Sequence, residues 1–210
     1  MSNTTRWAGV PLSDRRTERR ALLITAAYDL LGTDLLGHDP SALSVRALCR
    51  ASGLNSRYFY ESFADVDELL GELYDEVAAD LAGVVAAAIE CAGPSVRSRT
   101  AAGIRAVLAH AGDDPRRGAI LFTHARANPV LAARRVATEE LLMSSVLAET
   151  VRRQGDRTSR PTADQVGAVM FAGAMAELAR QWLGGHLGSE LDVVVDAATA
   201  FVLRSAPART

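Results

Sequence analysis

Between Asp14 and Ala206 the apolar residues recur three and four positions apart and almost nowhere at two. A strand alternates its faces at every residue, whereas spacing of three and four lines one side of a helix. This regularity restricts the chain to an all-α fold. In 14–31 the stripe is Leu23, Ala27, Leu30 and Leu31; in 65–91 it is Leu69, Leu73, Val77, Leu81, Val84 and Ala88. Only Val193-Val194-Val195 resembles a strand, and its flanks are helical in pattern.

Caps and breakers divide the pattern into about nine helices. Ser44 opens a short segment, SVRALCRA, which stops at Ser52-Gly53. Serine accepts hydrogen bonds from the free N–H groups of a first turn, and glycine takes the left-handed conformation after a last one. Asn55 caps 56–62 in the same way. Asp65 and Glu68 form a D-x-x-E version of the capping box at the start of the long helix 65–91, which Gly93-Pro94 ends. Further helices are predicted over 96–111, 116–127 and 130–154, then one capped by Thr162 that runs to about 183 and one capped by Ser189 that runs to 206. The breakers between them are Gly112-Asp113-Asp114-Pro115, Asn128-Pro129, the polar stretch 155–161 and Gly184-Gly185.

Composition acts mainly by exclusion. The chain has 210 residues, 49% of them apolar, which is enough for a real core. All 23 basic side chains are arginine, so neither a Walker A lysine nor a Schiff-base lysine is present. His38, His110, His124 and His186 show no i,i+4 pairing, and no HExxH, CxxC or glycine-rich phosphate loop occurs. An enzyme, a metal site and a cofactor are therefore not expected. Cys49 and Cys91 are too few for a disulfide framework, and Cys49 reads as a small buried filler. The longest apolar run, 81–89, is too short to cross a bilayer, and residues 1–13 lack a secretion signal, so a cytoplasmic location is expected. Charge is arranged in blocks. Residues 1–60 carry eight arginines and five acids, 61–96 nine acids and no arginine, and 97–210 fifteen arginines and eleven acids. A basic end followed by an acidic segment suits polyanion binding, though a solvated surface could cluster this way as well.

The functional signal is residues 44–69, SVRALCRASGLNSRYFYESFADVDEL. Physically this is a helix, a glycine turn and a short helix. A helix-turn-helix lays its second helix in the major groove of DNA, with that helix's N-terminal residues toward base edges. Val45, Leu48 and Cys49 can pack the first helix on the second, leaving Arg46 and Arg50 outward. Leu54, Phe59 and Phe63 lie at core spacing, which leaves Asn55, Ser56, Arg57, Tyr58 and Tyr60 outside. Tyrosine beside arginine makes a poor solvent surface and a good DNA surface. Both reach phosphates, and arginine pairs bidentately with guanine.

The same stretch resembles the tetracycline-repressor-like (TetR) transcriptional regulators, whose pattern runs roughly T-V-R-x-I-A-x-x-A-G-V-S-x-x-T-L-Y-x-x-F-x-S-K-E-x-L. Ser44, Val45, Arg46, Leu48, Gly53-Leu54-Asn55, Phe59-Tyr60, Phe63, Asp67 and Leu69 fall on it without a gap. Three positions depart. Val66 stands at a lysine that typically touches phosphate, Tyr58 at a small threonine, and Arg57 where glycine or alanine is common.

The resemblance implies a tail over 1–13, a helix-turn-helix head over 14–63, and a ligand-binding and dimerising body over 64–206. It implies a homodimeric repressor on a palindromic double-stranded DNA operator, released by a small apolar effector. Ser44, Arg46 and Tyr60 would clamp phosphates, and Asn55, Ser56, Arg57 and Tyr58 would face base edges. Arg15, Arg16, Arg19 and Arg20 could touch the backbone or form a solvated face, and Arg6 could enter a minor groove. The last two helices would pair with their copies, placing Gly167, Ala174, Leu178, Val194, Ala198 and Phe201 at the dimer seam and the two recognition helices about 34–36 Å apart. A pocket between the fifth and eighth helices would be lined by Phe122, Met143, Met170, Phe171, Met175 and Trp182, with His110, His124, Glu177 and Gln181 as polar handles. A Met or aromatic at helical spacing is usually core, and a lone His usually caps or hydrogen-bonds, so each pocket residue has that plainer reading as well. Two alternatives remain: a small-molecule-binding or interaction protein whose helix-turn-helix is structural only, and a ligand-blind DNA-binding protein.

Overall fold

The computed structural model describes residues 12–33, 43–154 and 161–205. Nine helices run through them, and they contain no strand. These are α1 (Leu12–Thr33), α2 (Val45–Ser52), α3 (Ser56–Ser62), α4 (Val66–Cys91), α5 (Val96–Asp113), α6 (115–127), α7 (Pro129–Gln154), α8 (Pro161–Leu183) and α9 (Leu191–Ser205). No helix among the described residues is long and apolar enough to cross a membrane.

Most ends are set by the side chains that the sequence singles out. The Ser44 hydroxyl accepts from the Ala47 N–H at 3.2 Å, and Asn55 Oδ1 accepts from the Tyr58 N–H at 3.0 Å. At α4, Asp65 Oδ1 accepts from the Glu68 N–H at 2.8 Å. Glu68 reaches back one residue further than a standard capping box, to the Ala64 N–H at 2.7 Å. That hydrogen bond, with Arg20 close by, holds the Glu68 carboxyl below the usual carboxylate range. Asp114 caps α6 ahead of Pro115, and Asn128 Oδ1 caps α7 by accepting from the Val130 and Leu131 N–H groups. The last helix starts at Leu191, one residue later than a Ser189 cap predicts.

α6 differs from its expected form. Its middle, Ala119–His124, is wound as a π-helix between two short α-helical pieces. Such a widened turn shifts side-chain register locally. Apolar spacing over so few residues does not reveal it.

Two buried clusters organise the chain. The first joins Leu23, Ala27 and Leu31 of α1, Leu48 of α2, and Phe59 and Phe63 to Leu69, Leu73 and Val77 of α4, and continues to Ile120 and Leu131. Helices α1–α3 therefore share one core with the N-terminal half of α4. Along the α4 stripe Val77 is buried, Leu81 is half-buried, Val84 is exposed and Ala88 is half-buried again. The second cluster joins Ile104 and Leu108 of α5, Met175 and Ala179 of α8, and Val194 and Val195 of α9. Phe122, in the π-turn, packs against both clusters.

A polar joint ties α1 to the start of α6. The Tyr28 hydroxyl donates to Asp114 Oδ2 at 2.8 Å, and Arg116 binds both oxygens of Asp114 and reaches Asp29 at 2.6 Å. The Arg116 guanidinium also lies over the Tyr28 ring. Gly32 permits this approach, since a β-carbon there would meet the Arg116 side chain at 2.2 Å. One turn along, His124 is buried with Nε2 3.0 Å from the Leu31 carbonyl oxygen.

The joint predicts a pH dependence. Burial first, and then the Asp114 carboxylate, push the Tyr28 phenol up to about 12. The folded chain thus keeps a proton that the unfolded chain releases at about pH 10. The associated stability is intact below that pH and is lost as pH rises towards 12. Replacing Tyr28 by Phe should flatten this alkaline limb in melts taken across the range. Hydrogen bonds from Arg116 hold the Asp114 carboxyl well below its ordinary value. Its contribution is therefore complete above about pH 4 and fades only as pH falls below it.

Candidate nucleic-acid interface

The geometry of 44–63 starts at Gly53. Its φ of 71° lies in the left-handed region, where a β-carbon strains the backbone, and its N–H bonds the Cys49 carbonyl to end α2. The chain then turns sharply enough for α3 to pack back on α2. Leu48, Phe59 and Phe63 are buried together, with Val45, Cys49 and Leu54 packed at their edge. Phe59 meets Phe63 with ring centroids 6.1 Å apart and the edge of Tyr60 at 5.3 Å. Burial pushes the Cys49 thiol up, as suits a packing residue.

This packing sends a defined set of side chains outward. Ser44, Arg46, Asn55, Ser56, Arg57 and Tyr60 are all exposed, Arg57 with 83% of its side chain and Tyr60 at 62%. Tyr58 is only half-buried, because the Arg19 guanidinium of α1 lies 3.8 Å over its ring. Ser44 and Asn55 each use a side-chain oxygen as a helix cap, which fixes their positions on the surface.

The arginine run of α1 is partly engaged within the fold. Arg20 lies over the Phe63 ring, and its Nε donates to Glu72 at 2.7 Å; it also meets Glu68 and the Ser62 carbonyl. Arg19 Nη1 donates to Glu61 Oε2 at 3.0 Å. Arg6 lies outside the described residues. Val66, at the lysine position of the family pattern, is half-buried and packs on the first cluster. The helix-turn-helix pattern does not single out Glu61. Its signal was available in the spacing of four from Arg57, whose Nε donates to Glu61 Oε1 at 2.9 Å.

The residues expected to line a pocket separate. Phe122, Phe171, Met175 and Trp182 gather on or in the second cluster. Met143 lies outside the residues whose side chains are described. Met170 is 66% exposed, because its position on α8 points away from the core. His124 is committed to the Leu31 carbonyl beneath α1 rather than to a cavity. Glu177 binds Arg180 and Gln181 on its own helix and Arg126 at 3.1 Å. These donors, Arg180 foremost, hold its carboxyl down at about 2. His110 is buried with Nε2 3.1 Å from Asp80, without the alignment of a hydrogen bond.

The expected dimer residues separate too. Gly167 and Ala174 of α8 and Phe201 of α9 are exposed. Leu178 and Ala198 are half-buried against the second cluster. Val194 is a correction: it is buried inside this chain, because α9 turns it and Val195 towards Ile104 and Leu108. Its neighbour Val193 is the exposed one. On α8 the outer stripe is Val166, Val169, Met170 and Ala174, all exposed at helical spacing.

No known family model and no curated protein sequence matches the chain. Solved structures do. A TetR-like transcriptional regulator from Rhodococcus sp. RHA1 superposes with a TM-score of 0.67 at 17% identity, over 93% of this chain and 97% of that one. The fatty acid degradation regulator FadR from Bacillus halodurans gives 0.69 at 13%, over 91% and 97%. FadR from Bacillus subtilis, solved in complex with stearoyl-CoA, gives 0.67 at 13%, over 87% and 96%. The chain has the all-helical fold of the TetR-type regulators.

Proposed function

We propose that this protein is a ligand-responsive transcriptional regulator: a homodimeric repressor that binds a palindromic operator and is released by a small apolar effector. The observation that carries this reading is the outer face of α2–α3. Arg46, Arg57 and Tyr60 stand exposed beside the caps Ser44 and Asn55, on a short helix anchored by the fully buried Phe59. Solvation alone gives no reason to mount tyrosine and arginine there, whereas phosphates and base edges do. The regulators of the same fold support the reading.

In this account the head is 14–63 and the body 64–206. Ser44, Arg46 and Tyr60 hold phosphates. Asn55, Ser56 and Arg57 face bases, and Tyr58 contributes from beneath Arg19. The exposed stripes of α8 and α9 meet their copies across a two-fold axis. The apolar effector lies among Phe122, Phe171, Met175 and Trp182, at the second cluster. The complex of Bacillus subtilis FadR with stearoyl-CoA supports an apolar chain as its chemical class. The effector acts on DNA affinity through the long helix α4 and through Phe122, which touches both clusters. Linkage requires operator to weaken effector binding by the same factor.

Selection of duplexes from a randomised pool tests the DNA reading. The full-length chain should enrich a palindrome with half-sites about one helical turn apart. Arg57→Ala should then lower affinity for that duplex by roughly tenfold or more, as expected on losing a bidentate base contact. Failure to enrich any duplex would leave the alternative, an interaction protein with a structural helix-turn-helix.

A further inference from the structure

Glu61 is the sole acidic residue of α3, and it sits between two guanidinium groups. Oε1 accepts from Arg57 Nε at 2.9 Å, and Oε2 accepts from Arg19 Nη1 at 3.0 Å. Arg19 is itself held over the Tyr58 ring at 3.8 Å. A chain of contacts thus runs from α1 through the carboxylate to Arg57, whose side chain is 83% exposed on the recognition surface. Stability does not account for this placement, since exposed ion pairs contribute little. Attraction to DNA does not account for it either, because a carboxylate near phosphates is repelled.

The hydrogen-bond geometry does account for it. A guanidinium offers five N–H donors in a fixed planar fork. A hydrogen bond at Nε restrains the Arg57 guanidinium and does not use its two Nη groups, the pair of donors that can meet guanine O6 and N7. The same negative charge discourages a phosphate oxygen from capturing Arg57 at sequences without guanine. We propose that Glu61 is a specificity-determining positioning residue, which orients Arg57 for guanine and penalises its use as a general phosphate contact. This inference rests on the DNA-binding reading above.

The test uses the full chain as wild type, Glu61→Gln, Arg57→Ala and the double variant. Fluorescence anisotropy at one fixed ionic strength measures each on two duplexes: the one that wild type enriches from a randomised pool, and a scrambled version of it. Glu61→Gln should bind the scrambled duplex several-fold more tightly than wild type. Its preference for the selected duplex should fall by about tenfold, the scale of one bidentate contact. In the Arg57→Ala background the same replacement should leave the preference unchanged. Melting temperatures of all four should agree, since the altered side chains are exposed. If Glu61→Gln shifts both duplexes by one factor, or acts equally without Arg57, the proposal is overturned while DNA binding stands. If wild type enriches no duplex, the DNA-binding reading fails and the proposal fails with it.

Discussion

If the proposed dimer and operator exist, replacing Met170 by arginine is expected to split that dimer and to lower operator affinity by about a hundredfold or more. Met170 is 66% exposed in the middle of the α8 stripe, flanked by Val166, Val169 and Ala174. Contiguous exposed apolar surface of this kind marks an interaction face. A two-fold axis would bring each new guanidinium close to its copy in an apolar seam, unpaired and repelled. A separated protomer holds one half-site. It forfeits the linkage between two heads, which is worth roughly 10²–10⁴ in apparent affinity. The protomer's own melting should change little, because Met170 contributes nothing to either buried cluster. Sedimentation equilibrium and anisotropy on the selected duplex read both effects. A variant that remains dimeric and binds as wild type would remove this face from the account.

Phe59→Ala is expected to be the most damaging change within the head. The ring is fully buried among Leu48, Phe63 and the α4 leucines. Truncating such a side chain costs about 3–5 kcal/mol, from transfer and from the cavity left behind. That is about a fifth or more of an ordinary domain's stability of about 5–15 kcal/mol, and it corresponds to a melting temperature lower by roughly 6–20 °C. Tyr60→Ala, one residue along, should shift stability by only about 0.5 kcal/mol while weakening DNA binding, since its ring is mostly in solvent. The pair of variants reports which side of α3 faces the core. Equal losses of stability at both positions would contradict the orientation described here.

Periodicity and capping made much of this architecture legible. The stripe Leu23, Ala27 and Leu31, the Gly53 turn and the Ser44, Asn55 and Asp65 caps all depend on residues close in sequence, and each acts where the sequence places it. Tyr58 was harder to place, because the cation that covers it comes from α1, 39 positions away in number. The joint of Tyr28 with Asp114 spans 86 residues, and no local pattern announces it. The sides of α8 and α9 were ambiguous for a related reason. Both helices are apolar on more than one face, so spacing alone did not separate Val193 from Val194 or Met170 from Met175. Their burial follows from where α5 lies, which is a tertiary fact.

On the proposed reading, the outer face of α2 and α3 grips the phosphates and bases of a duplex. The slope of affinity against salt concentration tests it most directly, measured for wild type and for Arg46→Ala on the selected duplex. Cation release should give a steep decline on logarithmic axes, with a slope shallower by about one in the variant. A wild-type affinity indifferent to salt, or a slope untouched by removing Arg46, would contradict the account.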